Sequence, residues 1–134
     1  MNRVFPAILT VMSLAVLSSP AQAYIAENRV EVLPAGNGNF AVQDTRGVGP
    51  MEAWCAAASY AQVVMGAGAA DRVYLMDGRD RGSRQPIIYT LTPSDALRAA
   101  GAGKQSLSVS VTRDGYNLTV SHARHFCTNP YFDD

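Results

Sequence analysis

Two cysteines and two histidines are the residues of this chain best suited to chemistry. Cys55 with His122 or His125 would supply a thiolate nucleophile and its base, the pairing of a thiol-dependent hydrolase. His122, His125 and Cys127, spaced His-x-x-His-x-Cys, are ligand types that zinc accepts, and Cys55 would join them in a metal-binding module. Each arrangement meets an objection. A helix starting at Pro50 buries Cys55 more than a turn inside it, where the pull of the helix dipole on a thiol has faded. On a strand, residues three apart point to opposite faces, so His122 and His125 cannot share an ion without a bend. The sequence therefore points to no catalytic residue, no metal and no cofactor.

A third feature is the run Asp77-Gly78-Arg79-Asp80-Arg81-Gly82-Ser83-Arg84. Arg79, Arg81 and Arg84 are a set that grips phosphate, carboxylate or sulfate, or contacts a partner. A solvated loop is the structural alternative. The fourth is the tail Asn129-Pro130-Tyr131-Phe132, two aromatics that fold back over apolar surface or dock elsewhere.

Compartment decides among these. Arg3 is followed by an apolar stretch from Val4 to Leu17, then Ser18-Ser19-Pro20 and the small-x-small triplet Ala21-Gln22-Ala23. That is the layout of a cleavable export signal, and about 14 apolar residues fall short of the roughly 20 that span a bilayer. Removing the first 23 of 134 residues leaves 111, enough for one domain, residues 24–134. The composition has ten arginines, one lysine and many alanines, a bias that points to a bacterium and hence to the periplasm or the medium. There, two cysteines in a small domain pair most simply as a Cys55–Cys127 disulfide. The 11 basic and 11 acidic residues cancel, which leaves no electrostatic footprint for nucleic acid and none for an anionic membrane.

The positioning elements follow from periodicity. Val30 and Val32 alternate with charged residues up to Pro34, and Phe40 and Val42 return after Gly36-Asn37-Gly38-Asn39, a first hairpin. From Met51 to Met65 the chain reads as an alanine-rich helix, apolar on most of its circumference and therefore covered on more than one side. Val73–Met76 and Ile87–Leu91 read as two strands, and Ser94-Asp95 caps a short helical turn to Ala100. Leu107, Val109 and Val111, a turn at Asp114-Gly115, and Leu118 and Val120 read as a second hairpin. Its register sets Leu107 against His122, with His122 toward the core. The same parity sends Cys127 to the other face, so a bridge to the helix requires a bulge or a strand end near Arg124. The sum is α+β: a small, twisted antiparallel sheet of five or six strands with one main helix on it and one disulfide.

Trp54-Cys55-Ala56-Ala57-Ala58-Ser59-Tyr60, Leu91-Thr92-Pro93 and the closing Phe126-Cys127 resemble small exported proteins of alphaproteobacteria. Those carry Trp-Cys-x-Ala at a helix start and a second cysteine near the C-terminus. The resemblance implies an exported domain with paired cysteines and implies no activity. The sequence thus points to a non-enzymatic binding or envelope-associated domain, its partner a protein or a small molecule, with no membrane anchor once the signal is cut. N-terminal sequencing of the exported protein should read Tyr24-Ile25; an intact Met1 after export would refute cleavage.

Overall fold

The computed structural model describes residues 22–103 and 108–128. Most of the expected export signal lies outside these, as do Leu107, Tyr131 and Phe132. The described chain forms β1 (Tyr24–Ile25), β2 (Glu31–Gly36), β3 (Asn39–Val42), α1 (Pro50–Val63), β4 (Arg72–Asp77), β5 (Ile87–Thr90), α2 (Asp95–Gly101), β6 (Asn117–Thr119) and α3 (Val120–Arg124), closed by a 3-10 turn at His125–Thr128. The six strands make one sheet in the order β1-β2-β3-β5-β4-β6. Every pair is antiparallel, as an α+β reading requires.

The first hairpin turns at Asn37-Gly38, where φ is 54° and 76°. Positive φ at both central residues is the turn whose twist matches its strands. Strand β2 does not stop at Pro34 but runs on to Gly36, with a register shift between them. The proline is tolerated because β1 pairs only Glu31 and Val32, leaving the rest of β2 at the sheet edge.

Period two then sorts the side chains. Phe40, Tyr89 and Leu75 lie in register across β3, β5 and β4, and all three are fully buried against α1. Trp54 of α1 meets the Tyr89 ring edge-on at 4.9 Å, and Tyr60 meets Phe40 at 4.9 Å. Ten consecutive residues of α1, from Glu52 to Ala61, are buried. One side faces the sheet, and the other is covered by α3 and the 3-10 turn. The small alanine side chains let both layers approach closely.

The C-terminal hairpin is corrected. No strand occurs in residues 108–116; β6 pairs with β4, Leu118 facing Val73, and Val120 already opens α3. The edge of β4 wins the competition for backbone partners: Leu75 N–H donates to Tyr116 O and Gly115 N–H to Leu75 O, both at 2.8 Å. Arg79 N–H donates to Val111 O at 2.9 Å, and Trp54 Nε1 donates to Ser110 O at 2.8 Å. Thr119, the last residue of β6, caps α3 by accepting from His122 N–H at 3.2 Å. Gly115 has a φ of 83°, and a Cβ there would lie 2.5 Å from Gly101 N. Only glycine lets this loop pass so close to the end of α2.

The turn into α3 also removes the parity conflict, because the strand ends at Thr119 and Cys127 arrives on a helical turn. Cys55 and Cys127 form a disulfide with a Cα–Cα distance of 5.0 Å across 72 positions. A closed loop of that length contributes about 4 kcal/mol by restricting the unfolded chain. The double variant C55A/C127A should lose about that much unfolding free energy in urea. A loss below about 1 kcal/mol would show that packing alone seats the 3-10 turn.

Candidate functional site

The two cysteines singled out for chemistry are used structurally. Cys55 is fully buried, Cys127 is half-buried, and both sulfurs are in the bridge. His122 does not face the core: it is exposed on the first turn of α3, its ring 5.8 Å from that of Phe126, and His125 is exposed at the helix end. The reason is the helical turn from Val120, which abolishes the strand parity that aimed His122 inward. Among the described residues, the metal-type ligand atoms that lie together belong to Glu27, Cys55 and Cys127, within 4.8 Å. Two of them are the bridged sulfurs, and Glu27 accepts an ion pair from Arg124 at 2.6 Å.

The three arginines of the charged loop separate. Arg81 and Arg84 are exposed, while Arg79 is turned inward with its side chain 14 % exposed. Its Nη1 donates to Asp44 Oδ2 and its Nη2 to Val48 O at 2.6 Å. Asp44 Oδ1 accepts from Gly47 N–H and Val48 N–H, each at 2.7 Å, which folds the loop entering α1. Burial pushes the Asp44 carboxyl up, but the Val48 and Gly47 donors and the guanidinium groups of Arg79 and Arg84 together outweigh it. The net result is a carboxyl held below the usual carboxylate range. Asp44 went unnoticed in the sequence. A turn signal was present in Asp44 with Gly47 three residues on, but nothing local connects it to Arg79.

At the head of α1, Glu52 is buried and accepts from Gly49 N–H at 2.8 Å and from Arg46 Nη2 at 2.7 Å. In the core, the Tyr89 hydroxyl has no hydrogen-bond partner among the described residues. Burial pushes its pKa up, offset in part by nearby Arg79.

A cavity of about 450 Å³ opens between the C-terminal half of α2 and the paired strands β4 and β6. Arg72 and Tyr74 come from β4, Asn117 from β6 and Tyr116 from the residue before it, Arg98 from α2, and His122 from α3. Tyr74 lies on the sheet face away from the inward Val73 and Leu75, so alternation along β4 aims it here. Arg72 Nε donates to Asn117 Oδ1 at 2.6 Å, and Asn117 Nδ2 donates to Gly115 O at 2.9 Å. Arg98 sits 3.7 Å from Asp95 on the exposed face of α2. The Tyr116 ring is braced by Trp54 at 5.6 Å and by the Arg113 guanidinium at 5.9 Å. None of these lining residues was grouped by the sequence, because they come from four separate elements that meet only through the β4–β6 pairing. Chemically the cavity gathers two guanidinium groups, two phenols and an imidazole on a braced wall.

Because the Asp44 carboxyl is held below its unfolded value of 3.8, its contribution is complete above that pH and disappears as pH falls through the lower, folded value. D44N should lower stability at pH 7 by about 3 kcal/mol, since it leaves Arg79 inward without its counter-charge. The gap between D44N and wild type should close as the pH drops below 3.8, checked by urea unfolding across that range. A gap unchanged at low pH would show that Asp44 acts through its shape and not its charge. No family model, curated protein or solved structure matches this chain.

Proposed function

We propose that this chain is an exported, disulfide-stapled, non-enzymatic binding domain that holds a small molecule in the cavity between α2 and the β4–β6 strands. The observation that carries the reading is that cavity: about 450 Å³, walled by polar side chains with unused hydrogen-bonding capacity. Small-molecule sites fall in this size range and are built from a few convergent polar groups on a rigid wall. Here the wall is the sheet, fixed from behind by Trp54 under Tyr116.

Export is supported by the leader-like first 23 residues and by a disulfide, which persists in an oxidising compartment. The resemblance to alphaproteobacterial exported proteins points the same way, to the periplasm or the medium. No helix among the described residues is long and apolar enough to cross a membrane. The rival activities need free sulfur: a hydrolase requires a Cys55 thiolate, and a metal module on His122, His125 and Cys127 requires a Cys127 ligand. The bridge takes both.

Alkylation and intact mass on the exported protein should show no label until reductant is added. A fast-reacting free thiol at neutral pH would replace the binding reading with a Cys–His site. On the oxidised protein, thermal unfolding against a mixed small-molecule library should reveal compounds that raise Tm, with the rise growing with concentration. A library without effect would remove the cavity from consideration.

A further inference from the structure

We infer that the cavity beside α2 takes a small oxyanion, a carboxylate or a phosphate carried on a hydroxylated ring, and that Arg72 and Arg98 grip it. This rests on the binding-domain reading and adds the class of ligand. Among the described residues, the side-chain lining contains two guanidinium groups, an imidazole and no carboxylate. Asn117 is committed on both sides, to Arg72 through Oδ1 and to Gly115 O through Nδ2. That bond fixes the Arg72 guanidinium by its Nε, and leaves both Nη groups without a partner among the described residues. An arginine held this way presents two parallel donors whose spacing matches the oxygen pair of a carboxylate or phosphate.

Arg98 faces the same space from α2, and its contact with Asp95 does not neutralise it. Both side chains are more than half exposed, at 58 % and 103 %, and 3.7 Å apart, so water screens the pair heavily. The Tyr74 and Tyr116 hydroxyls, which donate as readily as they accept, have no hydrogen-bond partner among the described residues either. A wall whose free side-chain groups are mainly donors calls for a ligand that brings acceptors. The phenols suit ring hydroxyls, and about 450 Å³ suits a molecule of monosaccharide size. Another cavity, on the other flank of α2, has no cation among the described residues of its lining and includes Met76, Leu97 and Asp114. The two flanks of one short helix thus differ in charge, and only one is fitted for an anion.

Calorimetric titration of the oxidised mature protein at low salt with glucose 6-phosphate, glucuronate and glucose tests the inference. At least one anion should bind and glucose should not, the winning anion identifying phosphate or carboxylate as the recognised group. R72Q and R98Q should each weaken that binding about tenfold to hundredfold, the worth of a charge-assisted hydrogen bond. R81Q/R84Q should leave it unchanged, and circular dichroism checks that each variant folds. Glucose binding as tightly as the anions, neither anion binding, or R72Q and R98Q both binding like wild type would each overturn it. A neutral compound that raises Tm when both anions fail would sink the anion class while sparing the binding reading. Failure of neutral, cationic and anionic compounds alike would sink both.

Discussion

A helix with ten consecutive buried residues, as α1 has from Glu52 to Ala61, cannot be served by a sheet alone. A sheet covers one stripe of a helix, and the opposite stripe must find a second layer or remain wet. In this chain the second layer is the last stretch of described sequence, α3 and the 3-10 turn, too short to be stable in isolation. The bond from Cys55 to Cys127 ties that layer to the helix it covers. The sheet orders the first stripe through Phe40, Tyr89 and Leu75, and the bridge secures the second.

The polar groups at the front of α1 answer a different need. Glu52 accepts from the Gly49 N–H, and Asp44 from those of Gly47 and Val48, which closes the loop that enters the helix. Arg79 balances the charge of Asp44 where water is scarce, and Arg46 that of Glu52 nearer the surface. Arg79 also hydrogen-bonds to Val111 through its backbone, so the same residue joins the α1 entry loop to the segment that wraps over Trp54. The wall behind the cavity and the head of α1 are therefore one connected unit.

Much of this was legible in the residues. The alanine run after Pro50, the Asn37-Gly38 turn, the Val73–Met76 strand and the Ser94 cap each carry a local cause, and each element forms where its cause lies. The disulfide followed from compartment and cysteine count. The alternation from Val109 to Val120 misled because period two shows that a segment is half-buried, not which edge it will pair with, and β4 offered the better edge. His122 went the same way, since the threonine that ends β6 also caps a helix, and alternation does not show where the strand stops. Arg79 is indistinguishable from Arg81 and Arg84 in sequence; Asp44, 35 positions earlier, is what sets it apart. The cavity was illegible for the same reason, as its two arginines lie on elements that only the folded topology brings together.

The position of the bridge along the chain sets the order in which the molecule can be secured. A polypeptide emerges N-terminus first, so Cys55 is out long before Cys127, 72 residues behind it. Until then the stripe of α1 that α3 and the 3-10 turn will cover stays bare, with the Cys55 thiol on it. The α3 helix and the 3-10 turn both hide that surface and consume the thiol. Arrival of α3 and the 3-10 turn, more than assembly of the sheet, is therefore the event that closes the domain.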